Sequence, residues 1–306
     1  MNATMMRLED FKAARNVLKG VLNDTGLIYS HFFSNATGNY VYLKPENMQV
    51  TGAYKVRGAC YKVSTLTDEE HVKAIRYAVE RTAGRVPVVA GTGSNHTDYS
   101  LWLSKEAKQA GADGLLLVTP YYNKTSQAGL VRHFLAVADT VDLPVILYNV
   151  PSRTGMNIQP KTYLELSKHP NIVAAKEASG NISQIAMIRS LCGDGLDIYS
   201  GNDDQIVPIL SLGGKGVISV LSNVAPRQTH DICQLYFDGK VRESADLQVK
   251  LLPLINALFC DVNPIPVKEA VAMMGWQAGP CRLPLTGLGE ENRELLKREM
   301  KAAGLI

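Results

Sequence analysis

A lysine at the end of an apolar run is the residue of this sequence with the clearest capacity for chemistry. Residues 172–175 are all apolar, and Lys176 follows them directly. Such a run is typical of a strand buried on both faces of an all-parallel sheet, and catalytic groups gather at the carboxyl ends of such strands. Burial favours the neutral amine, which can attack a carbonyl carbon and form a Schiff base. By residue type alone, a lysine that reaches solvent or pairs with Glu177 is the simpler interpretation.

Two further groups follow another apolar run. Tyr148 ends the run at 144–148, and Arg153 lies shortly after it. A tyrosine hydroxyl can carry the proton that a Schiff-base reaction must move, and a guanidinium can hold a substrate carboxylate. Taken singly, they are more simply a packed core tyrosine and a surface arginine. Because parallel strands end at one edge of a sheet, the two together with Lys176 favour a site for a substrate with a carbonyl and a carboxylate.

Alternating strands and helices must position these groups. Thr67 and Glu70 form a capping box that predicts a helix reaching about residue 83. Amphipathic helices are expected at 126–140 and 159–168, between strands. Strands separated by helices on this repeat predict parallel βα units. Six strands are expected, at 86–90, 114–118, 144–148, 172–176, 197–200 and 216–220.

The predicted fold is therefore an α/β fold of the TIM (β/α)8-barrel type. Such a barrel needs eight strands in about 250 residues, so six clear βα units predict an incomplete one. Residues 226–306 are expected to form a C-terminal helical region.

Composition narrows the class of protein. The 306 residues are 46% hydrophobic and 20% charged, which suits a globular enzyme. No apolar run approaches the roughly 18 residues of a membrane span, and residues 1–10 do not resemble a signal peptide. A net charge of +3 gives no indication of nucleic-acid binding. Scattered cysteines without a C-x-x-C pair favour reduced thiols in a cytoplasmic protein: Cys60, Cys192, Cys233, Cys260 and Cys281.

Residues 64–306 resemble the 4-hydroxy-tetrahydrodipicolinate synthase (dihydrodipicolinate synthase) family of Schiff-base barrel enzymes, within the pyruvate aldolase superfamily. The resemblance is dispersed over about four fifths of the chain. The serine, arginine, threonine and glycine after Tyr148 favour this family over the sialic-acid lyases. Six motifs carry the match: VTPYYNK at 118–124, LYNVPSRTG at 147–155, KEA at 176–178, SGND at 200–203, GVISV at 216–220 and NPIPVK at 263–268.

The resemblance implies a lyase of lysine and diaminopimelate biosynthesis. Pyruvate would form an imine with Lys176 and then an enamine, which attacks aspartate semialdehyde. Tyr148 would relay protons, and Arg153 would face the semialdehyde carboxylate. The pyruvate pocket would be lined by Gly201 and Ile218.

The resemblance also implies an assembly. Tyr122 would reach into the site of a neighbouring subunit, so a homo-oligomer, usually a tetramer, is expected. It implies no metal and no bound cofactor.

The first 63 residues follow a different pattern. A helix is expected over 8–23 and a short strand over 39–43. The stretch GAYKVRGA at 52–59 resembles the amino-terminal part of threonine ammonia-lyase, in which the lysine matched by Lys55 holds pyridoxal phosphate. The later asparagine loop and glycine-rich phosphate cradle of that family have no counterpart here, so Lys55 is expected to be solvated or ion-paired.

The synthase family has two more βα units before residue 64, which end in Gly-Thr-Thr-Gly-Glu. Its threonines bind pyruvate and complete a hydroxyl relay. The corresponding positions here hold Ala59 and Cys60, and Lys62 replaces the glutamate. A thiol is a weak donor, and alanine offers no hydrogen bond.

Three segments are therefore expected, namely an ammonia-lyase-like segment over 1–63, a barrel over 64–225 and helices over 226–306. The leading hypothesis is a synthase-type enzyme of impaired activity. Two alternatives remain open: a fragmentary pyridoxal-phosphate ammonia-lyase, and an inactive partner that assembles with intact synthase subunits. The first segment is expected to add at most one strand to the barrel, near 40–44, and the open edges would favour dimerisation or low solubility.

Overall fold

The computed structural model describes residues 28–29, 42–43 and 68–306. The chain divides into two compact units, residues 1–77 and 78–306. In the first unit, β1 (Ile28–Tyr29) pairs antiparallel with β2 (Tyr42–Leu43). The helix predicted over 8–23, Thr67 of the capping box, and the positions of Lys55, Ala59, Cys60 and Lys62 lie outside the described residues.

The strand predicted over 39–43 is described at Tyr42–Leu43, and its other positions lie outside the described residues. It is described as β2, and its partner is β1, a strand that the sequence did not predict. These two strands form a two-stranded sheet of their own, separate from the parallel sheet. Two residues per strand and little alternation give almost no periodic signal.

Six parallel strands form the sheet of the second unit, and each pairs with the next along the chain. This confirms the prediction of a partial barrel with six βα units. Two strands have the predicted bounds, and the other four are shifted, shortened or extended at their ends. The strands are β3 (Val89–Gly91), β4 (Gly114–Val118), β5 (Val145–Asn149), β6 (Ile172–Glu177), β7 (Asp197–Ser200) and β8 (Gly216–Val217).

The differences between the predicted and the observed strand ends have local causes. The strand predicted at 86–90 begins at Val89, after Pro87, which lacks the N–H that a ladder needs. The strand predicted at 216–220 ends at Val217, because residues 221–223 turn into a 3-10 helix. The predicted 144–148 and 172–176 strands each extend one residue further, to Asn149 and Glu177.

Helices connect the strands. The predicted 126–140 helix begins at Gln127, with the Ser126 hydroxyl accepting the N–H of Gly129 at 3.1 Å. The predicted 159–168 helix is shorter, because the chain leaves helical geometry after Leu166. The helices are α1 (Asp68–Thr82), α2 (Thr97–Gln109), α3 (Gln127–Thr140), α4 (Pro151–Thr154), α5 (Pro160–Leu166), α6 (Ile182–Cys192) and α7 (Ile206–Ser211).

The C-terminal region is helical, as predicted. Its helices are α8 (Pro226–Phe237), α9 (Val241–Ala257), α10 (Ile265–Met273) and α11 (Glu290–Ala302). They share one hydrophobic core with residues 206–225, to which α9 contributes Leu254 and α11 contributes Leu296 and Met300. The packing of these helices thereby holds the side of the sheet that ends with β8.

None of the described helices is long and apolar enough to cross a lipid bilayer.

The two faces of the parallel sheet are buried to different degrees. On one face the register row Leu117, Leu147, Ala175 and Ile198 is at most 2% exposed. Consecutive parallel strands with right-handed crossovers place the connecting helices on one face, so we infer that the helices cover this row. On the opposite face, the row Val118, Tyr148, Lys176 and Tyr199 is only half-buried. The face that carries the candidate nucleophile is therefore the more accessible one.

Replacing Leu147 by alanine tests the buried row. The side chain is fully buried in β5, so the substitution should lower the free energy of unfolding by about 2–5 kcal/mol, measured by urea denaturation. Leu252→Ala in α9, where the side chain is 37% exposed, is the control and should cost less than about 1 kcal/mol. Equal losses in the two variants would contradict the assignment of the covered face.

Candidate active site

Lys176 and Tyr148 lie side by side at the carboxyl ends of β6 and β5. They are register partners on neighbouring strands, which places their side chains on the same face of the sheet. The Nζ atom of Lys176 lies 4.2 Å from the centroid of the Tyr148 ring. The side chain of Glu177 points to the opposite face of the sheet. Lys176 and Glu177 therefore do not form an ion pair.

The environment of Lys176 favours its neutral amine. Burial lowers the pKa of Lys176, because desolvation disfavours the ammonium, and the negative charge of Asp203 opposes this shift. A larger share of neutral amine is what a nucleophile requires at neutral pH. The location of Lys176 on a regular strand fixes the position of this amine.

Tyr148 keeps its proton. Burial raises the pKa of Tyr148, and the guanidinium of Arg153 lowers it by a smaller amount. A protonated phenol beside an amine can both accept and donate a proton as a reaction proceeds. The charge of Arg153 therefore acts on the Tyr148 hydroxyl.

A short helix directly after β5 presents Arg153. In α4 the N–H of Arg153 donates to the carbonyl of Val150 at 3.0 Å, and the helix ends at Gly155, whose φ is +65°. Thr154, which follows Arg153, is buried and accepts a hydrogen bond from Thr119 Oγ1 at 3.0 Å. This bond ties the helix to the loop after β4. Arg153 itself is exposed, as a residue that meets a substrate must be.

Gly201 and Ile218 lie in the loops after β7 and β8, at the same edge of the sheet. The N–H of Gly201 donates to the carbonyl of Glu177 at 2.7 Å, and that of Ile218 donates to the carbonyl of Ser200 at 2.9 Å. A Cβ on Gly201 would lie 2.7 Å from the Ala178 Cβ. The chain needs glycine there so that the loop can approach the end of β6.

Tyr122 occupies a strained turn. Its φ is +71°, and the N–H of Asn123 donates to the carbonyl of Tyr121 at 2.9 Å. This resembles the rare γ-turn with positive φ, and such strain is found where a side chain must be aimed. The Asn123 side chain donates to the carbonyl of Asn95 at 3.0 Å, which braces the turn. The Tyr122 side chain is 49% exposed.

The structure contains a buried polar network that the sequence did not predict. Glu177 is fully buried and accepts hydrogen bonds from Asn149 Nδ2 at 2.7 Å, the Tyr163 hydroxyl at 2.8 Å and Ser179 Oγ at 2.6 Å. Burial, followed by the charge of Glu177, raises the pKa of Tyr163 well above its usual value. The network lies directly behind Lys176 and holds the end of β6. The signal for it was strand alternation, since Glu177 must face away from Lys176.

Asp203 is the second group that the sequence did not single out. It lies in a 3-10 turn after β7 and is only 2% exposed. Its Oδ2 accepts the N–H groups of Val220 at 3.0 Å and Leu221 at 2.9 Å. Burial raises the pKa of Asp203, while these hydrogen bonds and the charge of Lys176 act in the opposite direction.

The Glu177 network gives a stability test. Glu177→Gln places an amide NH2 among donors, which leaves at least one buried donor unpaired, so the free energy of unfolding should fall by about 1–3 kcal/mol in urea denaturation. Glu165→Gln, on the exposed side of α5, removes the same charge and should leave stability within about 0.5 kcal/mol. If both variants unfold at the same urea concentration, the network does not stabilise β6.

Known proteins share both the sequence and the fold of this chain. The model of the Dihydrodipicolinate synthetase family matches residues 49–303, so the match begins ahead of residue 64, where the resemblance was expected to start. The 4-hydroxy-tetrahydrodipicolinate synthase of Caldicellulosiruptor saccharolyticus is 58% identical over 255 residues, which cover 83% of this chain and 86% of the relative.

Solved structures agree. The dihydrodipicolinate synthase of Aquifex aeolicus has a TM-score of 0.77 at 43% identity, covering 80% of this chain and 84% of its own. The chloride-inhibited enzyme of Acinetobacter baumannii, complexed with pyruvate, has a TM-score of 0.76 at 41% identity, with the same coverage of 80% and 84%. The chain belongs to the Dihydrodipicolinate synthetase family.

Proposed function

We propose that this protein is a lyase that condenses pyruvate with aspartate semialdehyde through a Schiff base on Lys176. One observation carries the proposal: a lysine with a lowered pKa lies 4.2 Å from a tyrosine ring, at the carboxyl edge of a parallel sheet. The family and the 58% identical relative, named a 4-hydroxy-tetrahydrodipicolinate synthase, support the same chemistry. The reaction belongs to lysine and diaminopimelate biosynthesis, and we propose the cytoplasm as its compartment.

The chemistry begins at the amine. The neutral Nζ of Lys176 attacks the keto carbon of pyruvate, and the carbinolamine loses water to give an imine. Tyr148 supplies the proton to the departing hydroxyl, since its raised pKa keeps it protonated. Loss of a methyl proton converts the imine to an enamine, whose carbon attacks the aldehyde of the second substrate. Water finally releases the product and restores the amine.

The remaining groups bind and orient. Arg153 holds the carboxylate of the semialdehyde, which its exposure and its proximity to Tyr148 support. Gly201 and Ile218 line the pyruvate pocket, in agreement with their position in the two loops at the same edge as Lys176. In favour of this arrangement, no side chain larger than hydrogen fits at Gly201.

Tyr122 completes the site of a neighbouring subunit in a homo-oligomer, most simply a tetramer. Its strained backbone and its half-exposed ring support a role outside its own subunit.

We further propose that the first 63 residues come from a threonine ammonia-lyase-like sequence joined to a synthase barrel over 64–225 and helices over 226–306. The motif around Lys55 supports this origin. The family match from residue 49 includes this motif, so the two resemblances overlap there. The environment of Lys176 favours the synthase reaction over a pyridoxal-phosphate reaction at Lys55.

Borohydride trapping with pyruvate tests the nucleophile. Reduction should leave a stable adduct on Lys176 and none on Lys55, because Lys176 has a desolvated amine beside a tyrosine. Peptide mapping by mass spectrometry locates the adduct. Lys176→Ala should abolish it, and Lys55→Ala should leave it unchanged. An adduct on the Lys55 peptide would overturn the proposal.

The rate of condensation is expected to be low. Ala59 and Cys60 stand where the family has the threonines of its hydroxyl relay, and losing one positioned proton-transfer group costs about 10²–10⁴-fold. Turnover of pyruvate and aspartate semialdehyde should therefore be at least about a hundredfold below that of an intact relative. Ala59→Thr with Cys60→Thr should restore little by itself, because the hydroxyls must also be positioned as the first two βα units of the family position them. Near-normal turnover by the unmodified chain would refute this.

A further inference from the structure

We propose that Asp203 is a positioning residue for the Schiff-base reaction, which joins the turn after β7 to the loop that carries Ile218 and whose buried charge acts on the amine of Lys176. The inference rests on the proposed function for its catalytic consequence. It goes beyond the groups that hold the substrates, since Asp203 acts through Lys176 and Ile218.

Asp203 holds two loops together through hydrogen bonds. Oδ2 of Asp203 accepts two backbone N–H groups, from Val220 at 3.0 Å and from Leu221 at 2.9 Å. Asp203 itself belongs to the segment after β7, whereas its two donors follow β8. One carboxylate oxygen therefore joins the two loops that contain Gly201 and Ile218. A carboxylate can do this for two donors at once, because each oxygen has two lone pairs.

The turn that carries Asp203 is itself held from behind. The Gln248 side chain, from α9, donates to the carbonyl of Asp204 at 2.8 Å and accepts the N–H of Val207 at 2.8 Å. The C-terminal helices thus fix the turn, and the turn fixes the loop. The position of Asp203 is set by these contacts and not by the substrate.

Asp203 also carries a buried charge that acts on Lys176. Oδ1 of Asp203 is buried and makes no hydrogen bond to any described residue. Burying a carboxylate costs solvation free energy, which the Ser219 side chain, the two backbone N–H groups and the charge of Lys176 offset in part. The charge of Asp203 raises the pKa of Lys176, against the effect of burial, and the charge of Lys176 lowers the pKa of Asp203. The two groups therefore interact, although they belong to different segments.

The interaction has a clear use in the proposed reaction. The imine must be protonated before it becomes an effective electron sink, and the resulting iminium is a cation. A fixed negative charge nearby stabilises that cation without moving as the reaction proceeds. Burial by itself would lower the stability of the same cation. Asp203 thus balances the desolvation that makes Lys176 nucleophilic.

The other groups around this pair do not replace Asp203. Tyr148 of β5 and Tyr199 of β7 are the register neighbours of Lys176, and burial raises the pKa of both, so both are neutral at pH 7. Arg153 acts on Tyr148, and its charge is positive. Asp197 acts on Tyr199 and lies within 4.0 Å of Lys215. On the side of Asp203, Ser219 contributes a neutral hydroxyl.

The test measures the amine of Lys176 directly. Acetic anhydride is reacted with the full chain over a range of pH, and the acetylation of each lysine is followed by peptide mass spectrometry, with exposed lysines as internal references. In Asp203→Asn, the midpoint of Lys176 acetylation should move to lower pH by roughly 0.5–1 unit, because a neighbouring negative charge is lost. Asp204→Asn is the matched control, since Asp204 is exposed in the same turn. The midpoint of Lys176 acetylation should not move in this variant.

A second measurement reports the joining of the two loops. The pyruvate concentration that gives half-maximal borohydride trapping should rise roughly three- to tenfold in Asp203→Asn and stay unchanged in Asp204→Asn. In Asp203→Glu, which keeps the charge and lengthens the side chain, the acetylation midpoint should remain that of the unmodified protein while the half-maximal pyruvate concentration rises.

The outcomes separate the two proposals. An unmoved acetylation midpoint in a folded Asp203→Asn protein overturns the role of Asp203, whatever pyruvate does. If circular dichroism shows that Asp203→Asn does not fold, Asp203→Glu decides, and unchanged trapping in that variant overturns the role. Absence of trapping in the unmodified protein refutes the Schiff-base function, and the acetylation midpoints still decide whether Asp203 acts on Lys176.

Discussion

The structure depends on one constraint, which is that an amine must be held at the edge of a parallel sheet with little water around it. Lys176 meets it because β6 has a strand on each side, so Lys176 is the register partner of both Tyr148 and Tyr199. Desolvation makes the amine a better nucleophile and, by the same physics, makes every cationic intermediate less stable. The site therefore needs a counter-charge as well as burial.

Two buried carboxylates meet this need in different ways. Glu177 accepts hydrogen bonds from Asn149, Tyr163 and Ser179, and these bonds hold the end of β6. Asp203 uses one oxygen to join two loops and leaves the other without a described partner. Both charges act on their surroundings, since Glu177 raises the pKa of Tyr163 and Asp203 raises the pKa of Lys176. The two groups differ in what they hold: Glu177 holds the end of β6, and Asp203 joins the loops after β7 and β8.

The two faces of the parallel sheet differ in burial, and the site lies on the less buried face. The row that includes Leu147 is fully buried, while the row that includes Lys176 is only half-buried. A closed eight-stranded barrel packs its interior with side chains from all strands, so a half-buried interior row is expected where six strands make the parallel sheet. Partial exposure weakens desolvation, which links the completeness of the barrel to the reactivity of the amine.

The sequence by itself determined the existence and order of the parallel strands. The strands at 114–118 and 197–200 were predicted to the residue: the first is a short apolar run, and the second recurs at the spacing of the other βα units. The sequence also predicted Lys176, Tyr148 and Arg153 as site residues, since their residue types at or just after strand ends match one chemistry.

Only the tertiary structure decided which groups interact across segments. The pairing of Asp203 with the N–H groups after β8, and the Glu177 network with Tyr163, join residues that are far apart along the chain and follow no local period. The same holds for the short strands β1 and β2, which are too brief to carry a periodic signal. Periodicity reports how one segment faces the core, whereas these contacts depend on the register of several segments at once.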